Sequence, residues 1–334
     1  MKQNLNILRG WLWLMLLAIF AACSNDNDEP EPPQLEPEPE QSFPLTIEVT
    51  ENPMIIDGAA NNNVRKTDIT TSATFDEFTM NYVYGTSYST GSVSATKDGE
   101  GKWTSTDGWP LTEETVYWYA YTGDTPPTTN NKFYPNSGNP YLDFTVDNDV
   151  ANQKDLLVAT ASGTYSDTGG NLALTFDHAC AALRLWVKKS KNLDAYTLSI
   201  SSIVLKHVVK QGKYYYGTGE WTLTTNDADY TNYTLFSGSA QTVESTDYIP
   251  LDGGTPVYLF MIPQTLEAWN PTGDLGNTYL ELACSITKGG TPVYSGTAYI
   301  PFAATLAKGT QYNVKINIGK NSLYSGPNTK VITE

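Results

Sequence analysis

The chain has 334 residues, of which 40% are hydrophobic, and a formal net charge of −16. That length leaves room for two domains of ordinary size, and the apolar fraction is enough to fill their cores. The negative charge argues against nucleic acid as a partner and makes an anionic membrane surface repulsive. Tyrosine is abundant, with 22 residues, and long helical runs of Leu, Ala, Glu and Lys are missing, so the composition predicts an all-β protein.

Residues 1–22 have the features of a secretory signal peptide. Lys2 and Arg9 precede an apolar run from Trp11 to Phe20, which is too short to span a membrane comfortably and is followed by small residues. The stretch LAIFAAC resembles a bacterial lipoprotein signal, although Phe20 stands where Ser, Thr or Ala is usual. We therefore predict that Cys23 carries the lipid (palmitate) anchor as the first residue of the mature chain. The alternative is an ordinary secreted cysteine.

Residues 23–42 are predicted to form a tether. Seven acids and five prolines lie between residues 24 and 40, with almost nothing apolar, so this segment cannot bury a core and its charges repel one another. Acidic residues directly after a lipidated cysteine resemble the signal that sends Bacteroidetes lipoproteins to the outer face of the outer membrane. The resemblance implies a lipid-anchored protein at the cell surface.

The rest of the chain has the pattern of strands separated by turns. In FPLTIEVT (residues 43–50), Phe43, Leu45, Ile47 and Val49 alternate with polar residues, which predicts a half-buried strand. Clusters of Gly, Pro, Asn and Asp separate the later runs at hairpin-like spacing. The other predicted strands are 75–85, 115–122, 141–146, 155–162, 172–177, 181–188, 196–206, 213–224, 233–237, 256–264, 278–287, 292–301 and 310–318. A polar break at KSKNLD (189–194) predicts two β-sandwich domains, residues 43–190 and 191–334.

Five segments in this order resemble the fimbrillin family of Bacteroidales, the subunits of type V pili. They cover most of the mature chain: GWPLTEETVYWYAYTG (108–123), QKDLLVATA (153–161), LALTFDHACAALRLWVK (172–188), YLFMIPQTL (258–266) and AKGTQYNVKINI (307–318). The resemblance implies two tandem transthyretin-like, Greek-key β-sandwiches. It also implies export as a lipoprotein, removal of the first strand by an arginine-specific protease, and capture of a strand from another subunit in the vacated groove.

Arg65 is the predicted cleavage site. It lies in the polar stretch GAANNNVRKTDITT (58–71), and exposed polar loops are where proteolysis concentrates. The two other arginines are Arg9, in the signal, and Arg184, inside a predicted strand. Cleavage would remove residues 43–65 and leave Lys66 as the new N-terminus, although a lysine at this point leaves open on which side of it the cut falls. The alternative is a lipoprotein that stays uncut and tethered.

The predicted function is that of a fimbrial subunit, structural or adhesive, on the outer membrane. Its partners would be other fimbrial subunits, which bind by β-strand addition, the protease, the membrane, and an adhesion ligand on a host or bacterial cell. The tail NSLYSGPNTKVITE (321–334) alternates weakly, so it either donates a short strand or packs back onto the second domain. We favour a tip or accessory subunit. The alternative function is a surface glycan-binding lipoprotein that uses the tryptophans Trp103, Trp109, Trp221 and Trp269.

No catalytic residue, cofactor or metal site is predicted, because no catalytic or metal-binding motif is present. His178 is expected to be a partly buried side chain at a strand bend, and His207 to be exposed. Cys180 and Cys284 fall in strands of different predicted domains. A disulfide would need their Cα atoms within about 7 Å, so two buried free thiols are favoured over a bond.

Overall fold

The structure, a computed structural model, describes residues 43–56, 75–105, 107–122, 131–135, 138–226, 230–251 and 258–332. Strands account for nearly all of its regular structure, beside one short helix, α1 (Tyr165–Thr168), and three 3-10 turns. The strands are β1 Thr46–Glu51, β2 Ile55–Ile56, β3 Glu77–Tyr84, β4 Ser89–Lys97, β5 Trp103–Ser105, β6 Val116–Tyr121, β7 Lys132–Tyr134, β8 Tyr141–Thr145, β9 Leu157–Gly163, β10 Asn171–His178, β11 Ala181–Lys189, β12 Tyr196–Val209, β13 Gln211–Tyr215, β14 Glu220–Leu223, β15 Tyr230–Val243, β16 Ile249–Pro250, β17 Leu259–Met261, β18 Thr265–Leu266, β19 Tyr279–Lys288, β20 Thr291–Pro301, β21 Ala304–Thr305, β22 Thr310–Ile318, β23 Tyr324–Gly326 and β24 Thr329–Lys330. Within these ranges, no helix has the length and apolar character needed to cross a membrane.

Seven strands close into a barrel in the order β1-β10-β9-β6-β3-β4-β5. The alternation of the sequence explains the strands: in β10, NLALTFDH, every second side chain is buried and the others are exposed. All neighbours in the barrel are antiparallel except β1 and β10, which run parallel. The first strand therefore lies between β10 and β5 and closes the barrel.

The remaining strands form four further sheets. One has the order β16-β11-β22-β2, with β17 also on β11, and its central pair β11 and β22 is parallel over eight residue pairs. The largest has the order β15-β12-β19-β20-β23-β24. A third, β14-β13-β8-β7, joins strands from before and after residue 190, and β18 pairs with β21.

Two clusters of buried apolar residues fill the interior. The first lies inside the barrel and draws on residues 47–176, with Trp118, Met80 and Phe176 fully buried. The second is built mainly from residues 179–332, and also includes Leu142, Phe144 and other residues between 121 and 158. Aromatic side chains dominate the barrel cluster, where Phe78, Trp103 and Phe176 meet in tilted or edge-on pairs.

The all-β class predicted from the sequence is confirmed, and in the first half β1 and β5 close the strands into a barrel. The strand at 310–318 lies where it was predicted. The run predicted at 213–224 is two strands, β13 and β14, because the chain turns at Gly217 and Gly219, and Gly219 adopts a φ of 67°. β11 precedes the predicted boundary near residue 190, yet its pairing partners β16, β17 and β22 all follow that boundary, and β2 pairs with β22. The division into two tandem domains stays a prediction.

Candidate functional site

The candidate site is the place occupied by β1, whose removal the sequence predicts. β1 pairs in parallel with β10 over six residues, from Thr46 opposite Asn171 to Glu51 opposite Phe176. On its other side it meets β5 at a single pair, Ile47 and Trp103. Beyond the ladder, the amide of Thr46 donates to the Gly170 carbonyl at 2.8 Å. We call the space between β10 and β5 the strand groove, and residues 43–56 the N-terminal segment.

The four predicted inward-facing side chains all face the barrel core, but they are not equally buried. Ile47 is 4% exposed, whereas Phe43, Leu45 and Val49 are half-buried against the same cluster. Phe43 stacks on Tyr165 with ring centroids 4.4 Å apart. The segment is thus anchored chiefly by one aliphatic side chain, with three partial contacts around it.

Two glycines let the backbone of the segment come close to the barrel. A Cβ atom added to Gly108 would lie 2.4 Å from the carbonyl oxygen of Phe43, and one added to Gly170 would lie 2.2 Å from that of Pro44. Real Cβ atoms do not make such contacts, so any larger residue would displace the segment. The Phe43 carbonyl also accepts a hydrogen bond from the Trp109 amide at 2.8 Å. Sequence reasoning did not identify either glycine, because the need for it arises only from a segment distant in sequence.

The segment continues into a second sheet. After β1, the Asn52 amide donates to the Phe176 carbonyl at 2.9 Å, and the Asn52 side chain donates to Asp177 at 2.7 Å. β2 then pairs in parallel with β22, Ile55 opposite Thr310. Residues 43–56 therefore bind to the barrel and to the β11–β22 sheet. The two-residue strand was too short to be recognised in the sequence.

The inward face of β1 ends in a buried charged group that sequence reasoning missed. Glu51 continues the period-two series of Phe43, Leu45, Ile47 and Val49, and that series is the signal that could have found it. Its Oε1 lies 3.2 Å from Nε2 of His178, and its side chain is only 6% exposed.

His178 bridges this carboxylate to a second one. Its Nδ1 makes a short hydrogen bond with Oδ2 of Asp155, whose side chain is completely buried. Burial of the ring lowers the pKa of His178, but the hydrogen bond to Asp155 and the charges of Asp155, Glu51 and Asp177 outweigh that effect and raise the pKa above its ordinary value of 6.5. Burial also raises the pKa of Asp155, against the opposing effect of His178. We call Glu51, His178 and Asp155 the buried triad.

The predicted lipidation and cleavage residues lie outside the described part of the chain. Cys23 precedes residue 43, and Arg65 and Lys66 fall between β2 and β3, in residues 57–74. Arg184, the one arginine that is described, lies within β11 as predicted. Its side chain is buried over the rings of Trp186 and Tyr258 at 4.7 and 5.9 Å, so a protease cannot reach it in the folded chain.

The cysteines and histidines agree with most of the expectations. Cys180 and Cys284 are buried free thiols, and burial raises the pKa of Cys284 to about 11. His178, expected to be partly buried at a strand bend, is fully buried at the end of β10. The expectation that His207 is exposed was wrong: it is half-buried with its ring 4.1 Å from that of Tyr230, because a bulge in β12 turns it there. In the described residues, no group of three or more His, Cys, Asp or Glu side chains could hold a metal ion.

The tryptophans considered for glycan stacking do not present free faces. Trp103, Trp109 and Trp269 are 7%, 2% and 2% exposed. Trp221 is half-buried and donates its indole N–H to the Ala179 carbonyl at 2.8 Å. Three of these rings lie in the protein interior and Trp221 is half-buried, so packing explains the aromatic residues that suggested glycan binding.

The tail after β22 folds back onto the largest sheet. β23 pairs with β20 through Tyr324 opposite Tyr299, and β24 pairs with β23. Leu323 and Ile332 are buried, and the Asn328 amide donates to the Pro271 carbonyl at 2.6 Å. Residues 319–332 are therefore an integral part of the fold, which is the second of the two alternatives left open by the sequence.

Comparisons with known proteins agree on one family. The profile of the fimbrillin-like family matches residues 55–332. Among solved structures, the chain is similar to a fimbrial protein from Bacteroides vulgatus, with a TM-score of 0.57 and 17% identity over 83% of this chain and 95% of that one. A second similar structure is a putative cell adhesion protein from Bacteroides ovatus, with a TM-score of 0.45 and 15% identity over 83% of this chain and 93% of that one. A third is a fimbrial assembly protein from Parabacteroides distasonis, with a TM-score of 0.39 and 12% identity over 85% of this chain and 94% of that one. No curated protein matches the sequence.

These matches extend over most of the chain. The profile reaches from β2 to the tail, and the resemblance found in the sequence is confirmed. The Bacteroides vulgatus structure shares the fold. The chain belongs to the fimbrillin-like family, which is a family of fimbrial proteins and not of enzymes.

Proposed function

We propose that this chain is a fimbrial subunit that is exported as a lipoprotein through Cys23, cleaved at Arg65, and assembled by exchange of its first strand at the cell surface. The observation that carries the proposal is the position of β1. The strand that closes the barrel lies entirely upstream of Arg65, so one cut separates it, together with β2, covalently from the rest of the fold.

The contacts of β1 are strong enough to hold the segment and weak enough to be replaced. A fully buried aliphatic side chain contributes roughly 1.5–3 kcal/mol. One such side chain, Ile47, and three half-buried ones give about 4–8 kcal/mol, which is comparable to the stability of a whole domain. After cleavage, an open groove of this size is a strong driving force for capture of another strand. β-strand addition supplies the replacement, because main-chain hydrogen bonds to β10 are independent of sequence.

The tail supports the role of a tip or accessory subunit. Residues 319–332 would have to leave buried positions, including those of Leu323 and Ile332, before they could act as a donor strand elsewhere. A subunit that accepts a strand and keeps its own tail suits the end of a fibre or a branch of it. The family match and the fimbrial structural relative support placement in a cell-surface fimbrium.

The test is limited digestion of the purified chain with an arginine-specific protease. N-terminal sequencing, intact mass and size-exclusion chromatography then follow the product. We expect one cut, a new N-terminus at Lys66, and oligomers or uptake of added strand peptide once the segment is displaced. Arg65→Ala should abolish the cut, and Lys66→Ala, the matched control, should leave it in place. Resistance of Arg65, or a cut protein that never releases or exchanges residues 43–56, would refute the strand-exchange mechanism.

A further inference from the structure

The inward face of the N-terminal segment is apolar up to Glu51, the last residue of β1. Five alternate positions of the segment, from Phe43 to Glu51, point to the core, and the fifth is this glutamate, whose side chain is almost completely buried. A buried carboxylate is costly unless it is paired and hydrogen-bonded. Glu51 meets that condition only because β1 lies in its observed register, in which the strand ends beside His178.

With Asp155 and Glu51 both ionised, only the charged form of His178 donates to both of its neighbours. A neutral ring whose single proton faces Asp155 would turn an unprotonated Nε2 toward the carboxylate of Glu51, 3.2 Å away. The imidazolium donates from both nitrogens, one to each carboxylate. The charges facing the ring are those of Asp155 from the loop before β9, Glu51 from β1, and Asp177 beside it in β10. Two of these three carboxylates belong to the barrel, and only that of Glu51 leaves with the segment.

We infer that the strand groove selects its incoming strand by a carboxylate at the position of Glu51, four residues after a buried apolar side chain at the position of Ile47, in the same parallel register. This inference rests on the proposed strand exchange. A strand without that carboxylate would bury the Nε2–H group of His178 with no acceptor, and an unsatisfied charged donor is penalised heavily. The expected partner is a strand of another subunit with aliphatic residues at alternate positions and an Asp or Glu at the end of the series.

The tail of this same chain does not meet the requirement. Between residues 319 and 334 the only acidic residue is Glu334. If Glu334 took the place of Glu51 in the parallel register, Lys330 would take the place of Ile47, which is 4% exposed and packs in the apolar barrel cluster, so a charged side chain would be buried there. The groove therefore rejects residues 319–334 as an occupant in this register.

Competition between peptides tests the requirement without altering the folded protein. The full chain is cut at Arg65, and fluorescent peptide FPLTIEVTENPMII, which is residues 43–56, is added at pH 6.5. Unlabelled competitors carry Glu51→Gln, Glu51→Met, or the matched control Glu48→Gln. Glu48 lies on the outward, exposed face of β1, beside Asn171, so its charge does not enter the groove.

We expect the Glu51→Gln peptide to compete roughly tenfold more weakly than the unchanged peptide, because it keeps an acceptor but loses the charge. The Glu51→Met peptide, which loses both, should be weaker by roughly a hundredfold, and the Glu48→Gln peptide should differ by less than about twofold. Equal competition by all four peptides would overturn the acidic requirement and leave strand exchange standing. If the unchanged peptide itself fails to enter the cut protein, the strand-exchange function fails, and the inference fails with it.

Discussion

Replacement of Ile47 by alanine should open the first strand selectively. Ile47 is the one completely buried side chain of β1, and removal of a buried Ile side chain costs about 2–5 kcal/mol. Val49 lies on the same face but is half-buried, so loss of two methyl groups there should cost about 1 kcal/mol. Of the roughly 4–8 kcal/mol that the four inward side chains supply, Ile47 alone would account for the largest single part.

Native-state hydrogen exchange is the suitable assay, because it distinguishes opening of one strand from unfolding of the whole barrel. The amides of Thr46 and Asn52, which donate to β10 and its flank at 2.8 and 2.9 Å, report on β1. The amides of β6 report on the barrel as a whole. In Ile47→Ala the β1 amides should exchange roughly a hundredfold faster, corresponding to about 3 kcal/mol, and in Val49→Ala only about fivefold faster. Equal effects of the two substitutions would show that burial in the groove does not determine how the strand is held.

Three further predictions address other parts of the site. Gly108→Ala places a methyl group 2.4 Å from a carbonyl oxygen of the N-terminal segment, so hydrogen exchange at residues 43–46 should accelerate at least tenfold. In the control Gly99→Ala, nothing lies within 4 Å of the added atom, and exchange at residues 43–46 should stay unchanged. The same exchange rate in both variants would contradict the close approach. His178 has a pKa raised above 6.5, so the stability contributed by its charge is fully present below pH 6.5 and is lost as the pH rises through the raised pKa. The free energy of unfolding, measured in urea, should therefore fall across that pH interval. A rise in the free energy of unfolding would contradict the assigned charge. Both described cysteines are buried free thiols. In a Cys23→Ser background at pH 8, a thiol reagent should therefore label neither cysteine in the native protein and both cysteines of each chain in denaturant. Labelling of only one cysteine or of none after denaturation without reductant would indicate a disulfide bond.

Local patterns were sufficient to predict most strands, because alternation is a local property. β10 and β22 carry a clear period of two, and the structure has strands there. β4 was missed because its sequence, STGSVSATK, is almost entirely polar; only Val93 and Ala95 face the core. A strand that contributes two small apolar side chains has too weak a pattern to stand out from a loop.

Pairing between distant strands could not be predicted in the same way. β1 and β10 are about 125 residues apart, and nothing in either sequence states that they run parallel. The buried triad depends on that pairing, since Glu51 and His178 meet only when the two strands are in register. Glu51 did carry a signal, an acid in an apolar series, but its meaning becomes clear only with His178 beside it.

The four tryptophans considered for glycan stacking also show that the sequence alone does not reveal which side chains the tertiary fold exposes. Aromatic residues near turns suggested surface platforms, yet Trp109 packs edge-on against Trp118 at 5.4 Å, and Trp269 does the same against Tyr324 at 5.7 Å. Composition gives the amount of aromatic surface in a chain, and only the tertiary fold decides whether that surface is exposed.

Closure of the barrel by β1 also bears on solubility before assembly. A sheet that ends in an unpaired strand offers a row of free N–H and C=O groups, which is a template for aggregation with any other extended chain. With β1 in place, β10 is paired on both sides and β5 has partners in β1 and β4. In this form, these two edges of the barrel are not available to pair with other copies of the chain. In the proposed strand exchange, the first strand would therefore act as an intramolecular chaperone, and its removal would set the time of polymerisation.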